Sequence, residues 1–293
     1  MKGIILAGGH GTRLHPITHG ASKQLLPLYD KPMVYYPLST LMMAGIRDIV
    51  LISTPQQLPA FRRLLSDGHQ WGLDLQYADQ PEPRGLADAY LVAREFVQDQ
   101  PSCLILGDNI FFGHGLPETL KSAADLNDGA IAFAYPVRDP ERYGVVEIDD
   151  QERPLSIQEK PKKPRSRLAI PGMYFFDGKA PGIAETLVPS ARGELEITDL
   201  LRAYMQADKL HIEVLGRGVA WLDAGTHEAL MQAASFVQAV QQRQGLMISC
   251  PEEIAYRMGY IDAAGLRILT DTMGENDYRG YLLRLLGDDP FPY

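Results

Sequence analysis

The chain begins with Met1 to Met33, which read MKGIILAGGHGTRLHPITHGASKQLLPLYDKPM. Within this stretch, residues 4–7 (IILA) form a short apolar run whose length and β-branched content predict a buried parallel strand. Three glycines follow closely, and because they lack a Cβ they let the backbone turn sharply and approach a ligand. Successive backbone N–H groups in such a turn make a concave anion site. The stretch therefore predicts a phosphate-binding loop that contains Gly8, Gly9 and Gly11.

A hydroxyl and two cations continue this loop. Thr12 supplies the hydroxyl, Arg13 a guanidinium suited to phosphate oxygens, and Lys23 a further positive charge. Two known glycine loops are excluded. No Gly-Lys-Ser/Thr occurs for a Walker A loop, and Leu14 stands where the dinucleotide fingerprint needs its third glycine. On these residues alone, an ordinary glycine-rich turn between a strand and a helix stays open as the alternative.

Composition and charge narrow the class of protein. The chain has 293 residues, of which 45% are hydrophobic and 22% charged, with a formal net charge of −9. This composition is typical of globular proteins, and the acidic balance argues against nucleic acid as the main partner. We expect no membrane partner, because no apolar run approaches the roughly 20 residues of a membrane span. The first predicted strand begins close to the first residue, with no signal-peptide pattern before it. The two cysteines have neither disulfide nor zinc-site spacing. Together these observations predict a cytoplasmic location.

Strand and helix patterns alternate through the first half of the chain. This alternation predicts an α/β fold with a doubly wound, mostly parallel Rossmann-like sheet, whose ligands bind beyond the carboxyl ends of the strands. The predicted strands lie at residues 4–7, 48–52, 73–77 and 103–106, and the predicted helices at 33–44, 59–65 and 86–97.

The second half is richer in strands and ends in helices. We expect an αβ unit at residues 1–128, a β-rich insertion at 129–245 and a helical extension at 246–293. The predicted helices lie at 196–208, with a cap near Thr198, at 226–244, and throughout 250–286; the predicted strands lie at 130–135, 143–148, 155–159, 169–176, 212–215 and 219–222.

Two aspartates follow apolar runs and are candidate metal ligands. Asp108 ends the run LILGD, and Asp223 ends WLD. Carboxylate oxygens at the carboxyl end of a central strand suit Mg²⁺. On the residues alone, Asp108 could equally be a turn residue, and Asp223 could cap the helix that begins near Thr226.

An ordered set of longer segments identifies a family. The segments are LAGGHGTRLHPITHGASKQLLPLYDKPM, DKPMVYYPLSTLMMAGI, LILGDNIFFGHG, DPERYGVVE, QEKP, RGELEITDLL, AWLDAGTHEAL and CPEEIAYRMGYID. Together they resemble the sugar-nucleotide pyrophosphorylases, the nucleotidyltransferases that make NDP-sugars, and most closely the glucose-1-phosphate thymidylyltransferases among them. The resemblance implies the nucleotide-diphospho-sugar transferase fold, with nucleotide bound by residues 1–128 and sugar phosphate by residues 129–245.

The same resemblance implies a reaction and its participants. Glucose 1-phosphate would attack the α-phosphorus of dTTP directly, in line with the departing pyrophosphate, and Mg²⁺ held by Asp108 and Asp223 would be the cofactor. The product, dTDP-glucose, would feed dTDP-rhamnose, other deoxysugars and cell-surface polysaccharide such as lipopolysaccharide. The implied catalytic residues are Arg13, Lys23, Asp108, Lys160 and Asp223.

Residues in the matching segments receive binding roles by resemblance. For Gln80 there is also a chemical reason, since its amide offers the donor and acceptor that the imide edge of a pyrimidine needs. The implied nucleotide-binding set is Gly8, Gly9, Gly11, Thr12, Arg13, Lys23, Gln24, Gln80, Gly85 and Asp108. The implied sugar-phosphate set is Asn109, Tyr143, Gly144, Glu159, Lys160, Ile170, Gly172, Arg192 and Trp221.

The helical extension resembles the part of this family that forms a homotetramer and a second, regulatory site. That resemblance implies feedback inhibition by dTDP-rhamnose at a site containing Gly113, Arg217, Glu253 and Arg257. Three positions depart from the family pattern and bear on the base, the sugar and the regulator respectively: Asp88 in place of Gln, Pro171 in place of Thr, and Pro117 in place of His.

Two rival functions stay open on the sequence. One is a pyrophosphorylase that uses UTP or another sugar 1-phosphate, and the other is a non-catalytic regulatory subunit that binds a sugar nucleotide. The sequence shows no Ser-His-Asp or Cys-His arrangement of a covalent nucleophile. Direct displacement is therefore the predicted mechanism.

Overall fold

A computed structural model describes residues 1–9 and 11–287 of the chain. His10, inside the glycine loop, and residues 288–293, at the end of the expected helical extension, lie outside the described residues.

The strands follow the alternation expected from the sequence. They are β1 Lys2–Leu6, β2 Pro27–Leu28, β3 Lys31–Pro32, β4 Asp48–Ser53, β5 Asp74–Asp79, β6 Ser102–Leu106, β7 Asn109–Gly113, β8 Ala130–Pro136, β9 Gly144–Ile148, β10 Pro154–Glu159, β11 Leu168–Ala169, β12 Met173–Phe176, β13 Leu210–Val214 and β14 Val219–Asp223.

The helices are α1 Tyr35–Met43, α2 Leu58–Leu65, α3 Asp88–Val92, α4 Arg94–Val97, α5 Leu116–Ala124, α6 Ala180–Thr186, α7 Ile197–Gln206, α8 His227–Gln244, α9 Pro251–Arg257, α10 Ala263–Asp271 and α11 Asp277–Leu286. Among the described residues, no helix is both long enough and apolar enough to cross a membrane.

A ten-stranded sheet within the described residues carries the fold, in the order β10-β9-β11-β8-β12-β6-β1-β4-β5 with β13 beside β8. Strands β6, β1, β4 and β5 are parallel, whereas β12 runs antiparallel between β6 and β8. The fold class predicted from the sequence is confirmed.

The apolar runs form the middle of this sheet because both of its faces are covered. Alternate residues of β1 enter different cores: Ile5 packs in one with Leu51 and Ile105, and Ile4 packs in the other with Leu104. Strands buried on both faces need uninterrupted apolar sequence, which is the pattern of residues 4–7.

The parallel strands place two loops side by side at their carboxyl ends. The N–H of Gly107, after β6, donates to the carbonyl of Leu6 at 2.9 Å, and the N–H of Ala7 donates to the carbonyl of Ile52 at 2.8 Å. The glycine loop and Asp108 therefore begin at the same edge of the sheet, where ligands bind in this class of fold.

A two-stranded sheet of β7 and β14 stands outside the main sheet and pairs Asn109 with Asp223. The sequence analysis did not predict β7. Its effect is to bring the second aspartate, more than a hundred residues further along the chain, next to the first.

Four predictions differ from the structure. The helix predicted throughout 250–286 is three helices, α9, α10 and α11, with residues 258–262 and 272–276 between them, and Gly259 has φ +70° in the first gap. The predicted strand 169–176 is interrupted at residues 170–172, and the predicted helix 86–97 begins at Asp88 and is divided at Ala93. Thr198 is not a helix cap, because α7 begins at Ile197 and the Thr198 hydroxyl donates to Glu159 Oε2 at 3.1 Å. In each case a contact with distant sequence, or a local change of backbone angle, overrides the local pattern.

The C-terminal helices pack on both the sheet unit and one another. Ala255 of α9 belongs to the core that covers one face of the sheet, and the Trp71 indole N–H donates to Glu252 at 3.2 Å. Leu266 and Leu282, from α10 and α11, belong to a separate cluster.

Candidate active site

A cleft of about 360 Å³ opens at the carboxyl edge of the parallel strands. Its volume is in the range of small-molecule sites. The structure brings eighteen of the predicted site residues to its wall: Gly8, Gly9, Arg13, Lys23, Gln24, Gln80, Gly85, Asp108, Asn109, Tyr143, Gly144, Glu159, Lys160, Ile170, Gly172, Arg192, Trp221 and Asp223. Gly11 and Thr12 are not among the residues that line it.

Two carboxylates and a lysine belong to the cleft wall. Lys23 Nζ forms an ion pair with Asp108 Oδ2. Burial raises the pKa of Asp108, but the charge and hydrogen bond of Lys23 outweigh burial, so the pKa falls below its usual value. Burial and the nearby Asp108 carboxylate raise the pKa of Asp223, opposed by Lys23, Arg13 and Arg142. Burial is the largest of these causes, so desolvation is the main reason that the pKa of Asp223 lies above its usual value.

The N-cap alternative for Asp223 is not what the structure shows. Helix α8 begins at His227, and the Thr226 hydroxyl accepts the N–H of Ala229 at 3.2 Å. Thr226 therefore caps the helix, while Asp223 lies in the cleft wall.

Asn109 connects Asp108 with Trp221 and Gly172, which line the same cleft. Its Nδ2 donates to Asp108 Oδ1 at 3.1 Å. Its Oδ1 accepts the indole N–H of Trp221 at 2.7 Å and the backbone N–H of Gly172 at 3.0 Å. A Cβ on Gly172 would stand 2.9 Å from that Oδ1, so glycine is needed for this approach. The interruption of the predicted strand at residues 170–172 follows from this contact.

The residues expected to contact the base, Gln80 and Gly85, line the cleft. Gln80 is 3% exposed, and its Nε2 donates to Asp88 Oδ2 at 2.6 Å. Arg84 Nη2 donates to the other carboxylate oxygen, Oδ1, at 2.8 Å. Asp88, which departs from the family pattern, therefore has a buried carboxylate that accepts one hydrogen bond on each oxygen.

The structure requires a glycine at position 85 for a contact within the protein, whereas the sequence analysis gave Gly85 only a role in binding the nucleotide. A Cβ there would stand 2.3 Å from the carbonyl oxygen of Leu195, and the residue has φ +113°. The flanking backbone is bonded to the same residue: Leu195 N–H donates to Arg84 at 2.7 Å, and Ala87 N–H donates to Leu195 at 3.1 Å. Glycine here allows two segments of the protein to meet, although it also lines the cleft.

Another part of the cleft wall is a network of Arg192 with three glutamates, Glu159, Glu194 and Glu196. Arg192 Nη2 donates to Glu159 Oε1 at 3.1 Å and to Glu196 Oε2 at 2.8 Å. Lys160 adds a second cation to this network. Its Nζ lies 3.7 Å from Glu159 Oε1, and its side chain is 47% exposed. Lys160 has φ +40°, an uncommon value for a residue with a side chain, which places the bend at the cleft.

Comparison with known proteins agrees with this geometry. The profile of the family Nucleotidyl transferase matches residues 2–240. The chain belongs to the nucleotidyl transferase family. This confirms the family and the enzyme class expected from the sequence.

Two curated relatives of this nucleotidyl transferase carry the same name. A glucose-1-phosphate thymidylyltransferase from Xanthomonas campestris pv. campestris is 60% identical over 97% of this chain and 96% of its own length. One from Neisseria meningitidis is 56% identical over 98% and 99% respectively. Among solved structures, a Bacillus anthracis chain assigned the same name and crystallised with sucrose has a TM-score of 0.75 and 38% identity, over 80% of this chain and 94% of that one.

The site fits a divalent cation that also contacts a substrate. Asp108 and Asp223 supply carboxylate oxygen donors, both line the cleft, and strand pairing sets Asp223 opposite Asn109, the residue that follows Asp108. No group of three or more His, Cys, Asp or Glu side chains within residues 1–9 and 11–287 is placed to hold a metal ion. Two carboxylates with further oxygens from substrate phosphates is the arrangement in which Mg²⁺ is usually bound.

The sequence analysis missed several residues of the cleft. Arg142, Glu196 and Thr198 line it. Arg142 lies in DPERYGVVE, and the other two lie in RGELEITDLL, so the signal was present in segments already used for recognition. Their side chains had no separate pattern that predicted a role.

The four residues expected to form a regulatory site lie outside the cleft wall. Gly113 lies against the turn before β14, where an added Cβ would stand 2.5 Å from the carbonyl oxygen of Gly218. Arg217 is exposed in the same turn. Glu253 is 3% exposed and accepts from Arg257 Nε at 2.8 Å and from the Tyr281 hydroxyl at 2.6 Å. Their regulatory role stays a prediction.

Proposed function

We propose that this nucleotidyl transferase converts dTTP and glucose 1-phosphate into dTDP-glucose and pyrophosphate. The observation that carries the proposal is that the ion pair of Lys23 and Asp108 lines one cleft together with Asp223, Gln80 and Arg192. The names of the full-length relatives at 56–60% identity support the choice of substrates.

The reaction exchanges one P–O bond for another. A phosphate oxygen of glucose 1-phosphate attacks the α-phosphorus of dTTP while the bond from that phosphorus to the β-phosphate oxygen breaks. Both reactants are anions, so the protein must align them and neutralise charge that moves to pyrophosphate. Within the described part of the chain, no Ser, Cys or His lines the cleft, which supports direct displacement.

The cations of this chain divide that task. Arg13, exposed after the glycine loop, neutralises the leaving pyrophosphate, and Lys23 faces the α-phosphate. Lys160 binds the phosphate of the sugar, and Glu159 accepts from sugar hydroxyls. Asp108 and Asp223 would hold Mg²⁺, which would supply additional positive charge beside the phosphates.

Trp221 forms an apolar part of the cleft wall, against which the sugar ring would lie. Its ring packs edge-on against Tyr143 and Tyr135 at centroid distances of 5.1 and 5.7 Å. Gly144 and Ile170 complete this wall, and Ile170 N–H donates to the carbonyl of Gly144 at 2.8 Å. A sugar ring can pack its C–H groups on such a surface while its hydroxyls contact Glu159 and Arg192.

Assembly and regulation are a further part of the proposal. We place the enzyme in the cytoplasm as a homotetramer, inhibited by dTDP-rhamnose at the site of Gly113, Arg217, Glu253 and Arg257, with residues 246–293 as the assembly element. Within that element the Ile268 side chain of α10 is 67% exposed, so it is an apolar group available to such a contact.

The test is pyrophosphate release across a panel of nucleotides and sugar 1-phosphates, with and without Mg²⁺. We expect the highest kcat/KM for dTTP with glucose 1-phosphate, and release only when metal is present. Turnover with UTP and none with dTTP would reassign the substrate, and no release with any pair would favour a non-catalytic binding subunit.

A further inference from the structure

Asp88 has no part in the reaction as described, yet it is among the most buried charged residues of the protein. Its exposure is 0%. Burying a carboxylate costs desolvation energy that its partners must offset. Its partners are Arg84 on Oδ1 and Gln80 on Oδ2. One of the two partners is the amide expected to contact the base, so the position of this charge bears on substrate recognition.

A carboxylate beside a guanidinium accepts hydrogen bonds and donates none. The side chain of Gln80 must therefore turn its NH₂ group toward Asp88, because its carbonyl oxygen would face a second acceptor. Ordinarily the two ends of such an amide are interchangeable by rotation. Here the partner decides the orientation.

The rest of Gln80 is held as well. Its backbone N–H donates to the carbonyl of Ser53 at 2.8 Å. Its Oε1 lies over Gly8, at 3.0 Å from where a Cβ of that glycine would stand, and both residues line the cleft. The acceptor end of the amide is thus the end that lies at Gly8.

We propose that Asp88 is a positioning residue that fixes the amide of Gln80 with its oxygen toward the nucleobase. The inference rests on the proposed function, in which Gln80 contacts the base. Thymine and uracil carry a donor, N3–H, at the middle of their pairing edge, whereas cytosine carries an acceptor at N3 and a donor at N4. An amide oxygen held toward the base accepts the N3–H of thymine or uracil. With cytosine the same oxygen faces N3, which is also an acceptor, so no hydrogen bond forms there. By fixing this oxygen, Asp88 selects an imide base over cytosine.

A simpler role for Asp88 must be separated from this one. It is the first residue of α3, where a negative charge is favourable for the helix dipole, and this alone would make it structural. Loss of a structural role changes the use of every nucleotide by the same factor. Loss of the positioning role changes the ratio between nucleotides.

The test is the ratio of kcat/KM for dTTP to kcat/KM for dCTP, with glucose 1-phosphate and Mg²⁺, in the wild type and in Asp88→Asn. In the variant, the amide oxygen accepts from Arg84 and its NH₂ faces Gln80, which then rotates. We expect the ratio to fall by at least about tenfold, the factor that one hydrogen bond is worth.

Asp177→Asn is the matched control. Asp177 is 3% exposed, accepts from the Tyr204 hydroxyl at 2.6 Å and from the N–H of Gly129 at 2.9 Å, and is not among the residues lining the cleft. We expect this variant to lower the melting temperature and to leave the dTTP-to-dCTP ratio unchanged.

Two further measurements keep the test decisive. If Asp88→Asn does not fold, Asp88→Ser replaces it, since a hydroxyl can donate or accept and the ratio should again fall. Calorimetry gives the ratio of the affinities for dTTP and dCTP without turnover. An inactive wild type would therefore count against the proposed function, while the positioning role of Asp88 could still be tested by binding. An unchanged ratio in Asp88→Asn, or in the serine variant when the asparagine variant does not fold, would overturn the positioning role even if dTTP is the substrate.

Discussion

Replacing Asn109 by alanine tests the hydrogen-bonded frame of the cleft. The substitution removes the acceptor of two buried donors, the indole N–H of Trp221 at 2.7 Å and the N–H of Gly172 at 3.0 Å. A buried donor left without a partner costs about 1–3 kcal/mol. Two such donors give an expected loss of about 2–6 kcal/mol in the free energy of unfolding, a large part of the roughly 5–15 kcal/mol of a typical domain.

A second variant, Asn109→Asp, separates the frame from the chemistry. It keeps an acceptor for Trp221 and Gly172, but it replaces the donor to Asp108 Oδ1 by a negatively charged oxygen. We expect a smaller loss of stability and a fall of kcat by about 10² or more, the scale of losing one electrostatic group at a reacting centre. The alanine variant should instead show a raised KM for glucose 1-phosphate, because Trp221 and Gly172 lose their positions.

The assay combines urea unfolding, followed by the fluorescence of the two tryptophans, with pyrophosphate release. Asn127→Ala is the control: Asn127 is exposed and donates to the carbonyl of Asp125 at 2.9 Å, so its loss should lie within about 0.5 kcal/mol. If Asn109→Ala unfolds within that same margin of the wild type, water satisfies both donors and the frame does not contribute to stability.

Three further predictions concern charge in the cleft. Asp108→Asn and Asp223→Asn should each lower kcat by at least about 10² with near-normal unfolding, and the double variant should lose less than the sum, since both would serve one metal; near-normal turnover of either single variant at limiting Mg²⁺ would remove that residue from the metal site. Lys160→Ala should raise KM for glucose 1-phosphate far more than KM for dTTP, with unchanged stability because its side chain is 47% exposed; an equal calorimetric loss of dTTP affinity would contradict this placement. Removal of divalent cations by EDTA should abolish pyrophosphate release, and Mg²⁺ should restore it; activity that persists in EDTA would exclude the metal.

The sequence predicted best what local patterns determine. Strands such as residues 103–106 are apolar without interruption because both faces of the sheet are covered, so the pattern is strong. The break at Gly172 has a local signal, because Pro171-Gly172 is a turn dipeptide that the predicted strand 169–176 overlooked. The contact of the Gly172 N–H with Asn109 had none, because Asn109 lies more than sixty residues earlier.

The candidate site shows the same division. Recognition of the family placed most of the cleft residues, although it gave no geometry for them. Asp88 was noted as a departure, and its i,i+4 spacing from Arg84 was compatible with an ion pair. Its contact with Gln80 was hidden, because that contact depends on how the loop before α3 folds back.

The contact between Gly85 and Leu195 joins the chain segment that follows Gln80 to the chain segment that contains Arg192. Leu195 bonds to Arg84 and Ala87, which lie beside the residues that face the base, and its own neighbour in the chain is Glu196, a partner of Arg192. A nucleotide that orders the first segment thereby reduces the conformational entropy that the sugar phosphate must remove from the second. By linkage, each substrate then raises the affinity for the other by the same factor, so the two should bind cooperatively even before any phosphorus–oxygen bond forms.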